Sequence, residues 1–228
     1  MYILAGLPFI APDYSSAWLL KDVQMEYLQE KFDKKGLMIL YTAPWPGQGF
    51  YTKFPVNSVS DFSGKKLRIY STATQQMGSM LGFNATILPF AEIPQAFSTG
   101  LIEALFTSPQ TGIDIQAWDN TKHFTYAGAI FSKNAVVVTK KAFNALSKGD
   151  QSNILAAAKK AELRGWEMSA ETTKKQIDIL KKNGMSSKNA PDEVISKMKS
   201  IGLEMMKNWR SKASPEANAV LDRYLSMR

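Results

Sequence analysis

The sequence predicts an α/β protein of two lobes, with a mixed, mostly parallel sheet and a long helix that connects the lobes. Between Phe62 and Trp118, short alternating segments and helical segments follow one another in strict turn, which requires crossover connections. A helical run over about 150–183 is far longer than the mean globular helix of about 11 to 12 residues. With 228 residues, 45% of them hydrophobic, the chain can bury one large core or two smaller ones.

The N-terminal part contributes a helix over about 15–35 and then one strand, LMILYT. A single strand cannot form a sheet of its own. Two alternatives follow. Strands returning from later in the chain complete this lobe, or a portion upstream of the given sequence is needed.

The segment over 62–118 contributes three pairs of strand and helix. The strands are KLRIYS, NATILPF and LIEALFTS. The helices are TATQQMGSMLG, with Ser71 or Thr72 as N-cap and an end near Gly82, then AEIPQAFSTG and TGIDIQAWDNTKHF. Alternation of this kind predicts a sheet covered by helices on both faces.

Two β-rich runs, 124–127 and 134–139, follow without a helix between them and carry the chain from one lobe to the other. After the long helix, two further helices are predicted, PDEVISKMKSIGLEMMKNWRSKA and SPEANAVLDRYLSMR. We therefore predict that lobe I comprises 1–45 plus 134–170 and lobe II comprises 46–133 plus 171–228.

The composition excludes several kinds of chemistry. Cysteine is absent and His123 is the only histidine, which rules out thiolate metal sites, disulfides and histidine clusters. Phosphate-binding, dinucleotide, zinc-protease and EF-hand motifs are also absent, so we predict no cofactor, no metal and no catalytic residue. The net charge of +8 indicates acidic partners without choosing among small anions, anionic lipid and nucleic acid. The apolar opening lacks the basic region of a secretory signal.

Arg68 is the residue whose position most favours a function. It lies two residues before the end of its predicted strand, at the edge where open α/β sheets bind ligands. The hydroxyls of Ser71 and Thr72 and the free N–H groups of the next helix favour an anion there, and a guanidinium holds a carboxylate with two parallel hydrogen bonds. The alternative is an exposed arginine at a strand end, which contributes almost nothing to stability.

Further residues converge on the same edge if the sheet is parallel. Phe90 follows the second strand, and Thr107 and Ser108 follow the third. Each has a structural alternative, which is core packing for Phe90 and a helix N-cap with a turn for the other two. The segment APWPGQGFYTKFPV holds Trp45 between two prolines in an extended conformation and forms either a pocket wall or a simple turn between lobes.

The order of these segments resembles the DctP-type solute receptors of TRAP (tripartite ATP-independent periplasmic) transporters. The resemblance is carried by Pro55 to Arg68, Gly82 to Gly100 and Ile102 to Ala104, and it continues through NAVVVTKKAFNALSKGDQSNILAAAKKA. It extends over nearly the whole chain. It implies a periplasmic-binding-protein-like fold that closes on a small organic acid and delivers it to the membrane subunits of the transporter.

The resemblance also assigns roles to individual residues. The carboxylate-binding arginine of the family corresponds to Arg68, and the aromatic residue that packs on the ligand corresponds to Phe90. The polar residue after the third strand corresponds to Thr107 or Ser108. Where some family members carry an arginine in a G-x-R turn, this chain has Gln48. The remaining candidates for the pocket wall are Trp45, Gln48 and Tyr51.

The same resemblance implies a periplasmic location and a monomer. Family receptors begin with an export signal and a β-α-β-α portion, and this chain resembles the part that follows, so a dimer is expected if lobe I is incomplete. Two other classes remain as alternatives. One is an enzyme that acts on a small organic acid on a similar fold, and the other is a basic nucleic-acid-binding protein, which only the net charge suggests.

Overall fold

A computed structural model describes residues 2–228 and gives the following elements. The helices are α1 (Tyr14–Asp33), α2 (Thr72–Met80), α3 (Ile93–Ser98), α4 (Pro109–Asp114), α5 (Lys140–Asn144), α6 (Lys148–Lys182), α7 (Asp192–Arg210) and α8 (Pro215–Met227). The strands are β1 (Leu37–Pro44), β2 (Gly49–Thr52), β3 (Lys66–Ile69), β4 (Asn84–Ile87), β5 (Ala104–Thr107), β6 (His123–Tyr126), β7 (Lys133–Thr139) and β8 (Ser186–Asn189). Short 3₁₀ helices cover Tyr2–Gly6, Val59–Phe62, Phe90–Glu92 and Ala117–Asp119.

The smaller sheet contains β1 and β7, which run antiparallel. Leu37 pairs with Thr139 at one end and Pro44 pairs with Lys133 at the other. Helix α1 packs against β1. A strand that returns from later in the chain therefore pairs with the N-terminal strand, as the first of the two alternatives predicts.

The larger sheet has six strands in the order β4-β3-β5-β2-β6-β8. Three of its five pairings are parallel, namely β3 with β4, β3 with β5, and β6 with β8. Strand β2 runs antiparallel to both of its neighbours, β5 and β6. The prediction of a mixed, mostly parallel α/β fold is confirmed, although the sequence did not indicate β2 or β8.

The helices over 72–124 are shorter than predicted. Helix α2 has Ser71 as its N-cap and ends before Gly82, which adopts φ +96°. The segment predicted as one helix over TGIDIQAWDNTKHF contains only part of α4, then a 3₁₀ turn and the first residues of β6. This prediction was wrong because Gln116 adopts the left-handed conformation, with φ 48°, and interrupts the helix.

Hydrophobic side chains cover both faces of the larger sheet. On one face, Phe50 packs against Phe62 and Phe106 with ring centroids 4.8 Å apart in each pair. On the other face, Tyr51 packs against Phe124 with centroids 4.5 Å apart. All four residues of β2 are buried, which is the burial expected of a central strand.

Helix α6 connects the two sheets, as the sequence predicts. It contacts β1 of the smaller sheet, and α4 and β8 of the larger sheet and its helical layer. The Tyr14 hydroxyl donates to the Ser169 carbonyl over 2.6 Å, which ties α1 to the middle of α6. The exact boundaries of the two lobes stay a prediction. None of the helices within residues 2–228 has the length and hydropathy that a bilayer crossing requires.

Candidate ligand-binding site

A cavity of about 690 Å³ lies where the carboxyl ends of β3 and β5 face α1 and the start of β7. Strand β2 also contributes to this edge, because its antiparallel direction places its first residues beside the end of β5. Eight of the nine side chains that the sequence predicts for the site line the cavity. They are Trp45, Gln48, Arg68, Ser71, Thr72, Phe90, Thr107 and Ser108.

Arg68 is buried at the cavity, with 4% of its surface exposed. Its Nε and Nη2 both donate to the carbonyl oxygen of Leu88, over 3.1 and 2.9 Å. Burial lowers the pKa of this guanidinium. No carboxylate within residues 2–228 forms an ion pair with it. The alternative of an exposed arginine is therefore wrong, and an anion that enters the cavity would meet an unbalanced positive charge.

The predicted hydroxyl groups have two different roles. Ser71 Oγ accepts the Thr74 N–H over 3.2 Å, and Ser108 Oγ accepts the Thr111 N–H over 3.2 Å. Both serines are therefore helix N-caps as well as cavity residues, which matches the structural alternative for Ser108. Thr72 lies in the first turn of α2, and Thr107 is the last residue of β5.

Gln48 connects three parts of the cavity wall. Its Oε1 accepts the Tyr70 hydroxyl over 2.8 Å, and its Nε2 donates to Ser132 Oγ over 2.9 Å. Its backbone N–H donates to the Ile130 carbonyl. Burial raises the pKa of Tyr70 to about 12, so this phenol stays a hydrogen-bond donor at neutral pH. Gln48 therefore fixes the geometry around Arg68 instead of presenting a free amide.

The three aromatic candidates differ in how far their side chains are buried relative to the cavity. Phe90 is 52% exposed at the cavity, so the alternative of a core position is wrong. Trp45 is partly buried, and its Nε1 donates to Asn134 Oδ1 over 3.3 Å. Tyr51 is not among the lining residues. It is fully buried, and its hydroxyl donates to the Ser108 carbonyl over 3.2 Å, so it supports the start of α4 from behind.

Seven polar lining residues lie outside the sequence-based prediction, and three of them can carry a charge or a free amide into the cavity. The seven are Gln24, Tyr70, Thr111, Asp114, Ser132, Lys133 and Asn134. Asp114 accepts a hydrogen bond from Gln110 Nε2 over 2.7 Å. Burial and, to a smaller extent, the neighbouring charge of Lys21 lower the pKa of Lys133 from 10.5 to about 8. The only sequence signal for Lys133 is its place at the start of a β-branched run, which does not distinguish it from other lysines.

The fold and the cavity define a two-lobed α/β protein with a ligand-sized cavity at the carboxyl edge of its larger sheet. The model of the family described as DctP, bacterial extracellular solute-binding protein, family 7, matches residues 1–212. The chain belongs to this family, so the resemblance inferred from the sequence is confirmed. A curated relative, a solute-binding protein of Chromohalobacter salexigens, is 25% identical over 181 residues. This match covers 75% of the chain and 53% of the relative, so the chain spans about half the length of that relative.

Solved structures of the same class superpose closely. DctP7 of Bordetella pertussis, an extracytoplasmic solute receptor binding pyroglutamic acid, is 37% identical with a TM-score of 0.93, covering 96% of this chain and 72% of that chain. DctP6 of the same organism, also binding pyroglutamic acid, is 35% identical with a TM-score of 0.94, covering 98% and 74%. A TRAP solute-binding protein from a marine metagenome, specific for pyroglutamate, is 31% identical with a TM-score of 0.93, covering 99% and 74%.

Proposed function

We propose that this chain is the solute receptor of a TRAP transporter and captures a small organic acid by its carboxylate. The observation that carries the proposal is the buried guanidinium of Arg68, which lines the cavity without a carboxylate partner. Family membership and the three receptor structures support the same role. In this proposal the protein works in the periplasm as a monomer and passes its ligand to the membrane subunits of the transporter.

Arg68 is held in a fixed orientation before any ligand arrives. Two of its five N–H groups donate to the Leu88 carbonyl, which leaves the others for an acceptor in the cavity. A carboxylate can take two of them in parallel, and such charge-assisted bonds are roughly twice as strong as neutral ones. The exposed ring of Phe90 supplies an apolar surface for the rest of the ligand, and the Thr107 hydroxyl lies at the same edge.

We propose pyroglutamate, a five-membered lactam with one carboxylate, as the ligand. Three receptors at least 31% identical to this chain bind this acid. Gln48 occupies the position where some family members have a second arginine, and its amide is already bonded to Tyr70 and Ser132. Asp114 adds a carboxylate to the lining, which disfavours a second carboxylate close to it.

The proposed receptor is not an enzyme. The single histidine, His123, is the first residue of β6 and is not among the cavity-lining residues. A receptor of this kind works by closure of the two lobes over the bound acid. The predicted lobes place Arg68 in lobe II and the start of β7 close to the boundary between the lobes.

The test is isothermal titration calorimetry of the purified chain with pyroglutamate at fixed salt and pH 7. Loss of two charge-assisted hydrogen bonds, at about 1.5–3 kcal/mol each, predicts that Arg68→Met weakens binding by at least about 100-fold. Arg68→Lys keeps the charge without the planar pair of donors, so it should bind with intermediate affinity. Arg164→Met, on the exposed side of α6, is the matched control and should bind like the wild type.

The proposal fails if Arg68→Met binds pyroglutamate as tightly as the wild type does. Thermal melting of each variant separates loss of binding from loss of folding. A panel of small monocarboxylic acids, each paired with its uncharged amide, extends the test beyond one ligand. Equal binding of an acid and its amide would contradict carboxylate capture.

A further inference from the structure

One part of the cavity wall comes from α1 and carries an unsatisfied polar group. Gln24 lines the cavity and is only 1% exposed. Its Oε1 is buried and accepts no hydrogen bond from any group within residues 2–228. A buried acceptor without a donor costs about 1–3 kcal/mol. Because this oxygen belongs to a cavity-lining side chain, a ligand in the cavity can supply the missing donor.

Lys133 lies in the same part of the wall, at the first position of β7. Across the described part of the chain, its ammonium forms neither a hydrogen bond nor an ion pair with a protein group. The positive charge that acts on Lys133 is that of Lys21, which is itself balanced by Asp22 at 2.6 Å and Glu162 at 3.3 Å. Lys133 is therefore a cation in the cavity that still lacks an acceptor.

Gln24 and Lys133 belong to one local group. Lys21 and Gln24 are three residues apart on α1, so they occupy the same face of that helix. Lys21 in turn is close enough to Lys133 to lower its pKa. Helix α1 packs on β1, and β1 pairs with β7. Gln24 and Lys133 thus belong to the same side of the cavity lining.

We propose that Gln24 and Lys133 form a second polar subsite that recognises an amide group of the ligand, with its N–H donating to Gln24 Oε1 and its carbonyl accepting from Lys133 Nζ. The inference rests on the proposed function, because the carboxylate of the same ligand is assigned to Arg68. An amide satisfies both protein groups at once. A second carboxylate would satisfy Lys133 but has no hydrogen to donate to the Gln24 oxygen.

The test compares three ligands that share a five-membered ring and one carboxylate. Pyroglutamate has a ring N–H and a carbonyl, the corresponding lactone keeps the carbonyl but has oxygen in place of N–H, and cyclopentanecarboxylate has neither. Calorimetry on the wild type should show the lactam bound at least about tenfold tighter than the lactone, since a site built to hydrogen-bond an N–H rejects an analogue that lacks it.

Variants of the two residues should change selectivity in different ways. Gln24→Met is close in volume and should remove the preference for lactam over lactone. Gln24→Glu keeps an acceptor oxygen and should retain that preference. Lys133→Met should weaken the lactam and the lactone by the same factor and leave cyclopentanecarboxylate unchanged. Asp114→Asn tests Asp114, another acceptor of the cavity lining, as the partner of the ligand N–H, and the subsite predicts that this variant keeps the lactam preference.

Retention of the lactam preference in Gln24→Met would overturn the subsite, and its loss in Asp114→Asn would assign the ligand N–H to Asp114 instead. The proposed function would survive that result, because capture of all three acids would still depend on Arg68. If the wild type binds none of the three acids, the subsite fails, and the panel of other monocarboxylic acids decides the proposed function separately. Melting temperatures of Gln24→Met and Gln24→Glu show whether any loss of binding arises from misfolding.

Discussion

The two walls of the cavity differ in how far their polar groups are satisfied by the protein itself. On the wall formed by the larger sheet, Arg68 donates to the Leu88 carbonyl. Both the oxygen and the nitrogen of the Gln48 side-chain amide form hydrogen bonds to protein groups. On the wall formed by α1 and β7, Gln24 and Lys133 have unused hydrogen-bonding capacity. The first wall is organised before a ligand arrives, whereas in the proposed subsite the second wall is completed by the ligand.

This difference separates affinity from selectivity. A preorganised guanidinium binds a carboxylate without further ordering, so it acts on every acid that fits. Polar groups that remain unpaired in the empty cavity discriminate strongly between ligands. A ligand that lacks the right donor or acceptor removes these groups from water without forming hydrogen bonds to them, and it therefore binds weakly. We therefore expect damage to the first wall to affect folding and all ligands, and damage to the second wall to affect the choice of ligand.

The largest effect is expected from Gly49→Ala on the first wall. A Cβ at this position would lie 2.5 Å from the Thr125 carbonyl oxygen and 2.9 Å from the Phe124 ring, so β2 and β6 must separate. We expect a loss of about 3 kcal/mol in the free energy of unfolding, at the upper end of overpacking costs. Gly165→Ala is the control, because no atom outside its own stretch of helix backbone lies within 4 Å of its Cβ position and alanine favours a helix by about 1 kcal/mol.

Urea denaturation of both variants measures these changes. Gly165→Ala should be at least as stable as the wild type. Gly49→Ala should unfold at a lower urea concentration than the wild type and bind pyroglutamate less tightly. If Gly49→Ala proves as stable as the wild type, β2 does not form the tight central strand described here. The organisation of the first wall would then need another explanation.

The sequence predicts the first wall well because that wall follows from topology. The carboxyl ends of parallel strands meet at one edge of a sheet. Arg68, Phe90 and Thr107 lie at or just after the ends of predicted strands, so the sequence alone predicts that they are close together. The sequence did not predict strand β2, because GFYT lies in a segment rich in Pro and Gly, which favours turns. Strand β8, SSKN, contains no hydrophobic residue.

The second wall could not be predicted, since its members are related only by tertiary packing. Gln24 is a polar residue in the middle of a helix, and Lys133 is one of the 28 Lys and Arg residues of the chain. Their meeting depends on the pairing of β1 with β7, which brings together segments about a hundred residues apart. Neither local spacing nor periodicity contains that information.

A smaller effect is expected from Tyr70→Phe, which removes a hydrogen bond of the first wall without changing its shape. The Tyr70 hydroxyl donates to Gln48 Oε1 over 2.8 Å, and its loss leaves this buried oxygen without a donor. We expect a loss of about 2 kcal/mol in the free energy of unfolding. Affinity should fall for lactam and lactone alike, because the lost hydrogen bond lies on the wall that we propose binds the carboxylate.

Urea denaturation and calorimetry on Tyr70→Phe check both parts of this prediction. Tyr41→Phe on β1 serves as the control for loss of a phenol hydroxyl away from the cavity lining, and we expect it to stay within about 0.5 kcal/mol of the wild type. A change in the lactam-to-lactone ratio in Tyr70→Phe would mean that the two walls are coupled, contrary to the division proposed here.

The smallest effect is a pH dependence that arises from the second wall. Burial lowers the pKa of Lys133 to about 8, so its amine loses the proton as pH rises through this value. The ligand carbonyl binds the ammonium better than the neutral amine, so affinity for pyroglutamate should fall up to about tenfold between pH 7 and pH 9. The stability of the empty protein should change in the opposite direction, since unfolded Lys133 keeps its proton up to its usual pKa of 10.5.

Between about pH 8 and 10.5 the unfolded chain therefore binds more protons at this position than the folded chain does, and the empty protein gains stability as pH rises. Other charged groups also lie along the cavity or beside Lys133: Lys21, Asp22, Glu162, Arg68 and Asp114. The pKa of Tyr70, about 12, lies above the range of the experiment.

Lys133→Met isolates the contribution of Lys133, because the affinity of this variant for pyroglutamate should be nearly constant from pH 7 to pH 9. A wild type and a Lys133→Met variant with the same pH profile would show that the ammonium of Lys133 does not contact the ligand.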